Sequence, residues 1–184
     1  MNFETTPYKG AEMLPYERAK LYNWIIDLKP TNILEVGCGC GGATYYMAEA
    51  IKNGHIYTCD PKRALSTSFL KTYPFVEYHR TRSDVFIQDI IDRNLEIDFI
   101  MFDGPENPNV ALKDIRILEK YITSGTYFCM HDWEQGKRRY DGQRSVKARK
   151  IRSYIGRSKK WEKIEIIPGS KKSVGLCLYK LGRT

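Results

Sequence analysis

Apolar and polar positions along the chain fall into two alternating patterns. Ile33 to Val36, His55 to Asp60, Phe75 to His79, Ile97 to Gly104 and Thr126 to Met130 are short runs with β-branched or aromatic members, bounded by turn residues, and they read as strands. The fourth is almost wholly apolar, as expected of a strand covered on both faces. The segments between them carry helical spacing. Leu21, Trp24, Ile25 and Leu28 recur at i, i+3, i+4 and i+7, with Pro15 near the start and Pro30 closing the run. Ala43 to Ile51 ends near Asn53-Gly54, and Val85, Phe86, Ile87, Ile90 and Ile91 mark a helix through Ile91. Val110, Leu112, Ile115, Ile117 and Leu118 mark another, with Asn109 as its expected cap and Gly125 beyond its end. Val146, Ile151, Tyr154 and Ile155 suggest one helix more. Trp161 to Ile167 and Val174 to Tyr179 then read as strands joined by a hairpin turn at Pro168-Gly169-Ser170-Lys171-Lys172. Strands alternating with helices and a terminal hairpin predict an α/β fold, a doubly wound sheet closed by an antiparallel strand. With 184 residues, no internal repeat and no low-complexity linker, residues 1–184 are expected to form one domain.

The first strand runs into Gly37-Cys38-Gly39-Cys40-Gly41-Gly42, so the chain goes from strand through a glycine turn to helix. Such a turn lets a ligand lie against the backbone, although a Gly-rich turn without ligand has the same sequence. Gly37-x-Gly39-x-x-Gly42 also satisfies the dinucleotide fingerprint. Glu35 speaks against that ligand: a carboxylate there is badly placed beside a pyrophosphate but well placed for an ammonium or a hydroxyl. Asp60 ends the second strand, 25 residues past Glu35, where two acceptor oxygens match the two hydroxyls of a ribose. Asp before Pro61 is equally a turn or capping choice. Asp103 ends the fourth strand and His131-Asp132-Trp133 follows the fifth, which brings them to the same carboxyl edge.

Glu35, Gly37, Gly39 and Gly41 resemble motif I, acid-x-Gly-x-Gly-x-Gly, of the class I S-adenosylmethionine (SAM)-dependent methyltransferases. The resemblance implies a Rossmann-like, mostly parallel seven-stranded sheet of order 3-2-1-4-5-7-6, with strand 7 antiparallel. It implies that the loop around Cys38 holds the methionine part of SAM, with the motif acid as an anchor often acting through water. It implies further that Asp60 takes the ribose and that the third turn, with Ser83 and Asp84, touches the adenine; helix capping is an equal reading of that pair. With Asp103 and Asp132 added, residues 9 to 135 resemble the catechol, caffeoyl-CoA and macrocin-type O-methyltransferases. The function so implied is O-methylation of a small hydroxylated acceptor, with Asp103 and His131 as catalytic residues. Two strand-end carboxylates and an imidazole can hold a hard divalent cation such as magnesium, with Asp103 and Asp132 as ligands. A bound cation lowers the pKa of a hydroxyl. The sequence departs from the catechol type in carrying His131-Asp132 instead of Asp-Asn, as the macrocin-like branch does. It also has Glu106 where that type has a lysine base, and Ala43 where a serine is common, leaving Thr44 as the nearby hydroxyl. A metal-free route with His131 as general base stays open, and Asp132 could also serve as a simple cap.

The net charge of +8 is concentrated. Residues 137–163 hold twelve Lys or Arg against Asp141 and Glu162, a local +10 that points to an anionic acceptor or to a solvated helix exterior. Tyr140, Tyr154 and Trp161, interleaved with those charges, admit a nucleic-acid methyltransferase as a rival. The fourth strand, however, ends in Asp103-Gly104-Pro105-Glu106, unlike the Asn/Asp-Pro-Pro-aromatic pattern of methylation on bases. A cofactor-binding module without catalysis is the other rival. The five cysteines are odd in number and include no Cys-x-x-Cys, so neither a disulfide framework nor a zinc site is expected. Cys38 and Cys40 read as small residues in a ligand turn, with a soft-metal pair as the alternative. No apolar run approaches the ~18 residues of a membrane span, and Met1 to Gly10 lacks the order of a signal peptide. A cytoplasmic protein with no membrane partner is expected. Thr5 to Leu14, with Lys9, Gly10 and Met13, is irregular enough to serve as a lid ahead of the first helix, or to be disordered.

Overall fold

The computed structural model describes residues 1–5, 13–133, 142–169 and 174–182, with the side chains of 142–145 left aside. Its strands are β1 (Asn32–Val36), β2 (His55–Cys59), β3 (Val76–His79), β4 (Phe99–Phe102), β5 (Tyr127–His131), β6 (Trp161–Ile167) and β7 (Leu176–Leu181). They form one sheet in the order β3-β2-β1-β4-β5-β7-β6, the expected order. β1 to β5 pair in parallel and β7 runs antiparallel to both β5 and β6. In register, Val36 lies beside Cys59 and Phe102, and Phe102 beside Met130, so the ends of β1, β2, β4 and β5 share one edge.

The period of two along each strand divides the core between the faces. Leu34, Val36, Ile100, Phe102 and Phe128 point to the side covered by α4 (Ser83–Asp92), α5 (Pro108–Tyr121) and α6 (Gly142–Arg157). Ile33, Phe99, Met101 and Cys129 point to the side covered by α1 (Pro15–Leu28), α2 (Gly42–Ala50) and α3 (Thr67–Thr72). Glu35 shares the parity of Ile33 and therefore faces α2.

Element ends follow local chemistry. Pro15 opens α1, where its missing N–H costs nothing, and Glu17 reaches back to the backbone N–H of Leu14 at 2.8 Å. Lys29 in a left-handed conformation, φ 50°, ends the helix before Pro30. α5 is capped by Asn107 rather than Asn109, its Oδ1 accepting from the N–H groups of Asn109 and Val110. Pro108 at the first helical position selects that cap. α3 was not apparent from the sequence because it is one short run that buries only Phe69, too little for a periodicity to register. β4 is shorter than the run Ile97 to Gly104 suggests: the Asp98 carboxylate turns aside to accept from the N–H groups of Thr31 and Asn32, each at 2.9 Å. β6 and β7 form the expected antiparallel pair, while residues 170–173 of the turn lie outside the described residues. Among the described residues, no helix is long and apolar enough to cross a membrane.

Gly37 sets the depth of the crevice. At φ +92° it lies against the chain leaving β4, and a Cβ there would stand 2.8 Å from the nitrogen of Gly104 and 3.0 Å from the carbonyl carbon of Asp103. Both are backbone atoms and cannot turn away. At Gly39, φ +55°, a Cβ would meet only Arg63 Nη1, at 3.8 Å. Gly37→Ala is therefore expected to lower the unfolding free energy in urea by about 2–4 kcal/mol, the scale of overpacking plus left-handed strain. Gly39→Ala should cost about 1 kcal/mol, the scale of strain alone. Equal losses at the two positions would contradict this assignment.

Candidate active site

A cavity of about 680 Å³ opens at the carboxyl edge of the sheet, between the turn after β1 and the chain leaving β4. Open α/β sheets bind ligands in this crevice, where the strand order reverses. Gly37, Cys38, Gly39, Asp60, Ser83, Asp84, Asp103 and Asp132 all reach its wall, so the structure gathers most of the residues singled out in the sequence. Gly41, Glu35 and His131 are the exceptions, the last buried behind Asp103 and Asp132. Gly41 caps α2 at φ 89°, and Glu35 is fully buried beneath the turn.

Glu35 Oε2 accepts from Thr44 Oγ1 at 2.7 Å and Thr58 Oγ1 at 2.6 Å, while Oε1 has no hydrogen-bond partner. Burial outweighs the two hydroxyls and pushes its carboxyl up to about 7. Asp60 takes the turn role that its position suggested but caps no helix, since the cap of α3 is Ser66. Oδ1 accepts from the backbone N–H groups of Lys62 and Arg63, each at 2.8 Å, and Oδ2 from that of Gly39 at 3.0 Å. One carboxylate thus ties the glycine turn to the turn after β2. Cys38 is buried, and burial pushes its thiol well above the usual range. Neither Ser83 nor Asp84 caps α4: Arg82 is the cap position without a side-chain bond, and Asp84 pairs with the Arg82 guanidinium, Nε to Oδ1 at 3.0 Å.

Beyond the turn stands a cluster of charges. Asp103, His131 and Asp132 offer ligand atoms that all lie within 4.8 Å of one another, a group able to hold a metal ion. His131 Nδ1 is 3.3 Å from Asp103 Oδ2 and 4.0 Å from Asp132 Oδ1, and its Nε2 is 3.8 Å from Glu17 Oε2. Burial by itself lowers the imidazole pKa, but the carboxylates of Asp103, Glu17 and Asp132 outweigh it and raise the pKa well above the ordinary value. The direction of that shift favours the charged imidazolium, which donates to carboxylates, over the neutral base. Asp132 adopts a left-handed backbone, φ 61°, uncommon for a residue with a side chain.

Two members of the cluster were missed in the sequence. Glu17, fully buried in the first turn of α1, accepts from the N–H of Gly175 at 3.1 Å and so ties α1 to the start of β7 beside His131. Lys147 of α6 is fully buried, with Nζ 3.3 Å from Asp132 Oδ2 and 3.8 Å from Glu106 Oε2. Each carried a signal. Glu17 lies four residues before Leu21, and Lys147 four and eight before Ile151 and Ile155, so both fall on the buried stripe of their helix. Counting Lys147 within a basic run concealed this.

The rest of the basic segment divides. Arg149, Lys150, Arg157, Lys159, Lys160 and Lys163 are exposed, whereas Trp161 is buried, its ring tilted against Phe128 and its indole N–H donated to Glu119 Oε1 at 2.7 Å. Tyr154 donates its hydroxyl to the same Glu119. Both aromatics are thereby committed to the fold, which removes two of the stacking platforms a nucleic-acid surface would need; Tyr140 lies outside the described residues. Of the expected lid, Met13 is buried and lines the cavity, and residues 6–12 lie outside the described residues.

A search of curated proteins finds no match. Among solved structures, the chain is similar to an O-methyltransferase from Bacillus cereus in complex with SAH, at 18% identity and TM-score 0.78, over 95% of this chain and 84% of that one. It is similar also to the O-methyltransferase TomG from Streptomyces achromogenes, involved in tomaymycin synthesis and in complex with SAM, at 16% identity and TM-score 0.76, over 92% and 81%. A methyltransferase from Geobacter sulfurreducens aligns at 16% identity and TM-score 0.67, over 91% and 79%. At such identities the likeness is one of fold. The family itself is fixed by the sequence: residues 34–133, more than half of the chain, match the family model described as a methyltransferase domain, and they run from the strand of Glu35 to the end of the His131-Asp132 turn. The chain belongs to that family, the methyltransferase domain, on the class I SAM-dependent methyltransferase fold.

Proposed function

We propose that this protein transfers the methyl group of SAM to a hydroxyl oxygen of a small acceptor held beside Asp103, Glu106 and Asp132. The observation that carries the reading is the pair of carboxylates from adjacent strand ends at the wall of the cofactor crevice, with His131 between them. In the transfer, the hydroxyl oxygen attacks the sulfonium methyl, the carbon–sulfur bond breaks as the oxygen–carbon bond forms, and the cofactor leaves as an uncharged thioether. The hydroxyl proton passes to solvent water at the open cavity, and a free hydroxyl yields it poorly at neutral pH. Asp103 and Asp132 fit a hard divalent cation such as magnesium, since both are oxygen donors aimed at one place. When bound, such an ion lowers the pKa of a coordinated hydroxyl. His131, 3.3 Å from Asp103 through Nδ1, orients that carboxylate. The local +10 charge of residues 137–163 supports an anionic group on the acceptor.

SAM is assigned to the glycine turn, with Asp60 facing the ribose, Ser83 and Asp84 near the adenine and Glu35 beneath the methionine ammonium. The unpartnered Oε1 of Glu35 and its pKa of about 7 give this assignment a thermodynamic signature. An ammonium group nearby favours the carboxylate and lowers that pKa, so near pH 6 SAM binding should expel a proton. Calorimetry at pH 6 in buffers of different ionisation enthalpy should show this release, and Glu35→Gln should abolish it. Asp60→Ala should weaken binding by about 1–3 kcal/mol. No proton release in the unsubstituted protein would count against the placement of Glu35.

For the cation, a chelator should abolish transfer to a hydroxyl acceptor while SAM still binds. Asp132→Asn, whose amide oxygen can still coordinate, should lose less activity than Asp132→Ala. Full activity in excess chelator would reject the ion. For the anionic acceptor, raising salt through the range in which the Debye length falls from roughly 10 Å to 3 Å should raise KM and leave SAM affinity nearly unchanged. A KM independent of salt would reject the anionic group.

A further inference from the structure

Lys147 is the one fully buried lysine among the described residues, and the transfer chemistry does not use it. A lysine is rarely so deeply buried unless its charge is paired. Its pairing is unequal: Asp132 Oδ2 lies at 3.3 Å and Glu106 Oε2 at 3.8 Å. The two carboxylates differ as well. Asp132 is buried and held by its left-handed backbone, whereas the Glu106 side chain is 47% exposed and belongs to the loop after β4. Both line the cavity.

We propose that the Lys147 ammonium competes with the divalent cation for Asp132 and gives way to it by moving onto Glu106. Lys147 is then a positioning residue that sets how tightly the site takes its metal, an inference that rests on the cation reading above. The reason is electrostatic. A cation coordinated by Asp103 and Asp132 would share the Asp132 carboxylate with an ammonium already 3.3 Å from one of its oxygens, and two positive charges on one carboxylate repel strongly away from bulk water. Lysine suits the exchange, since its charge rides on a flexible four-carbon stem. Glu106 offers a second carboxylate within a short swing, at the cost of no new buried charge. When no cation is bound, the arrangement keeps Lys147 among the partners of the buried Asp132 carboxylate.

The test is direct binding of Mn²⁺, followed by its electron paramagnetic resonance signal, to the SAM-saturated full chain. Lys147→Met and Lys147→Gln remove the charge, and each should bind Mn²⁺ about tenfold more tightly than the unsubstituted protein, the scale of one nearby unit charge in a partly screened site. Lys147→Arg keeps the charge and should stay within about threefold. A purely structural lysine predicts the opposite for the charge-removing variants, equal or weaker Mn²⁺ binding in folded protein, and that result overturns the proposal. Should the Met and Gln variants fail to fold, Glu106→Gln carries the test from a half-exposed position: with no second carboxylate to receive it, the ammonium stays on Asp132 and Mn²⁺ should bind about tenfold more weakly. Unchanged affinity there overturns the proposal. Failures at the two levels are distinguishable. Mn²⁺ bound equally by the unsubstituted and charge-removed proteins defeats the role of Lys147 alone, whereas no Mn²⁺ bound by any of them, with transfer unaffected by chelator, defeats the cation as well.

Discussion

The backbone of Gly37 rests on that of Asp103 and Gly104, and the site depends on this approach. It occurs where the sheet order reverses between β1 and β4, so that helices leave on opposite faces and a crevice opens between their connections. The N–H of Asp103 donates to Val36 O at 2.8 Å, and the N–H groups of Gly37 and Cys38 donate to Cys59 O. Three strand ends are thereby fixed by main-chain bonds that no side-chain substitution removes. Glu35, Asp60 and Asp103 then project from a rigid frame, and Asp60 adds the link between the two turns.

On that frame the protein buries more charge than packing requires. Glu17, Glu35, His131, Asp132 and Lys147 are all buried at or beside one edge of the sheet. Isolated, each would be expensive; together they form a run in which Glu17 meets His131, His131 meets Asp103 and Asp132, and Asp132 meets Lys147. The run crosses from the first helix to the last. Such a chain of opposite charges is a poor source of stability but a good way to hold side chains at fixed angles where a reacting group must be placed. The neighbouring Glu35 is a different case, held by two hydroxyls and left with one oxygen to spare.

The strands, the glycine turn and most of the wall of the crevice were legible in the sequence because they depend on local pattern, whereas the strand order came from the resemblance that the glycine turn carries. A period of two, a period near 3.6 and a glycine cluster are written in neighbouring residues. An acid at the end of a strand is carried to the carboxyl edge whatever the rest of the chain does. Asp103 and His131-Asp132 could therefore be grouped before any coordinates, and so could Asp60 with the turn of Gly37 to Gly41.

What the sequence could not decide is what depends on partners far along the chain. Glu17 stands 114 residues before His131, and Lys147 lies 41 residues beyond Glu106, so no local spacing links them. Whether His131 is a neutral base or an imidazolium turns on the carboxylates that tertiary packing brings to it. The same holds for Trp161 and Tyr154, which read as surface aromatics among basic residues until Glu119, from a different helix, is found bonded to both. Local periodicity determined the strands and helices and the residues at their ends. The charge state and the pairing inside that edge were decided only by the fold, because electrostatic interaction depends on distance in space and burial, not on separation along the chain.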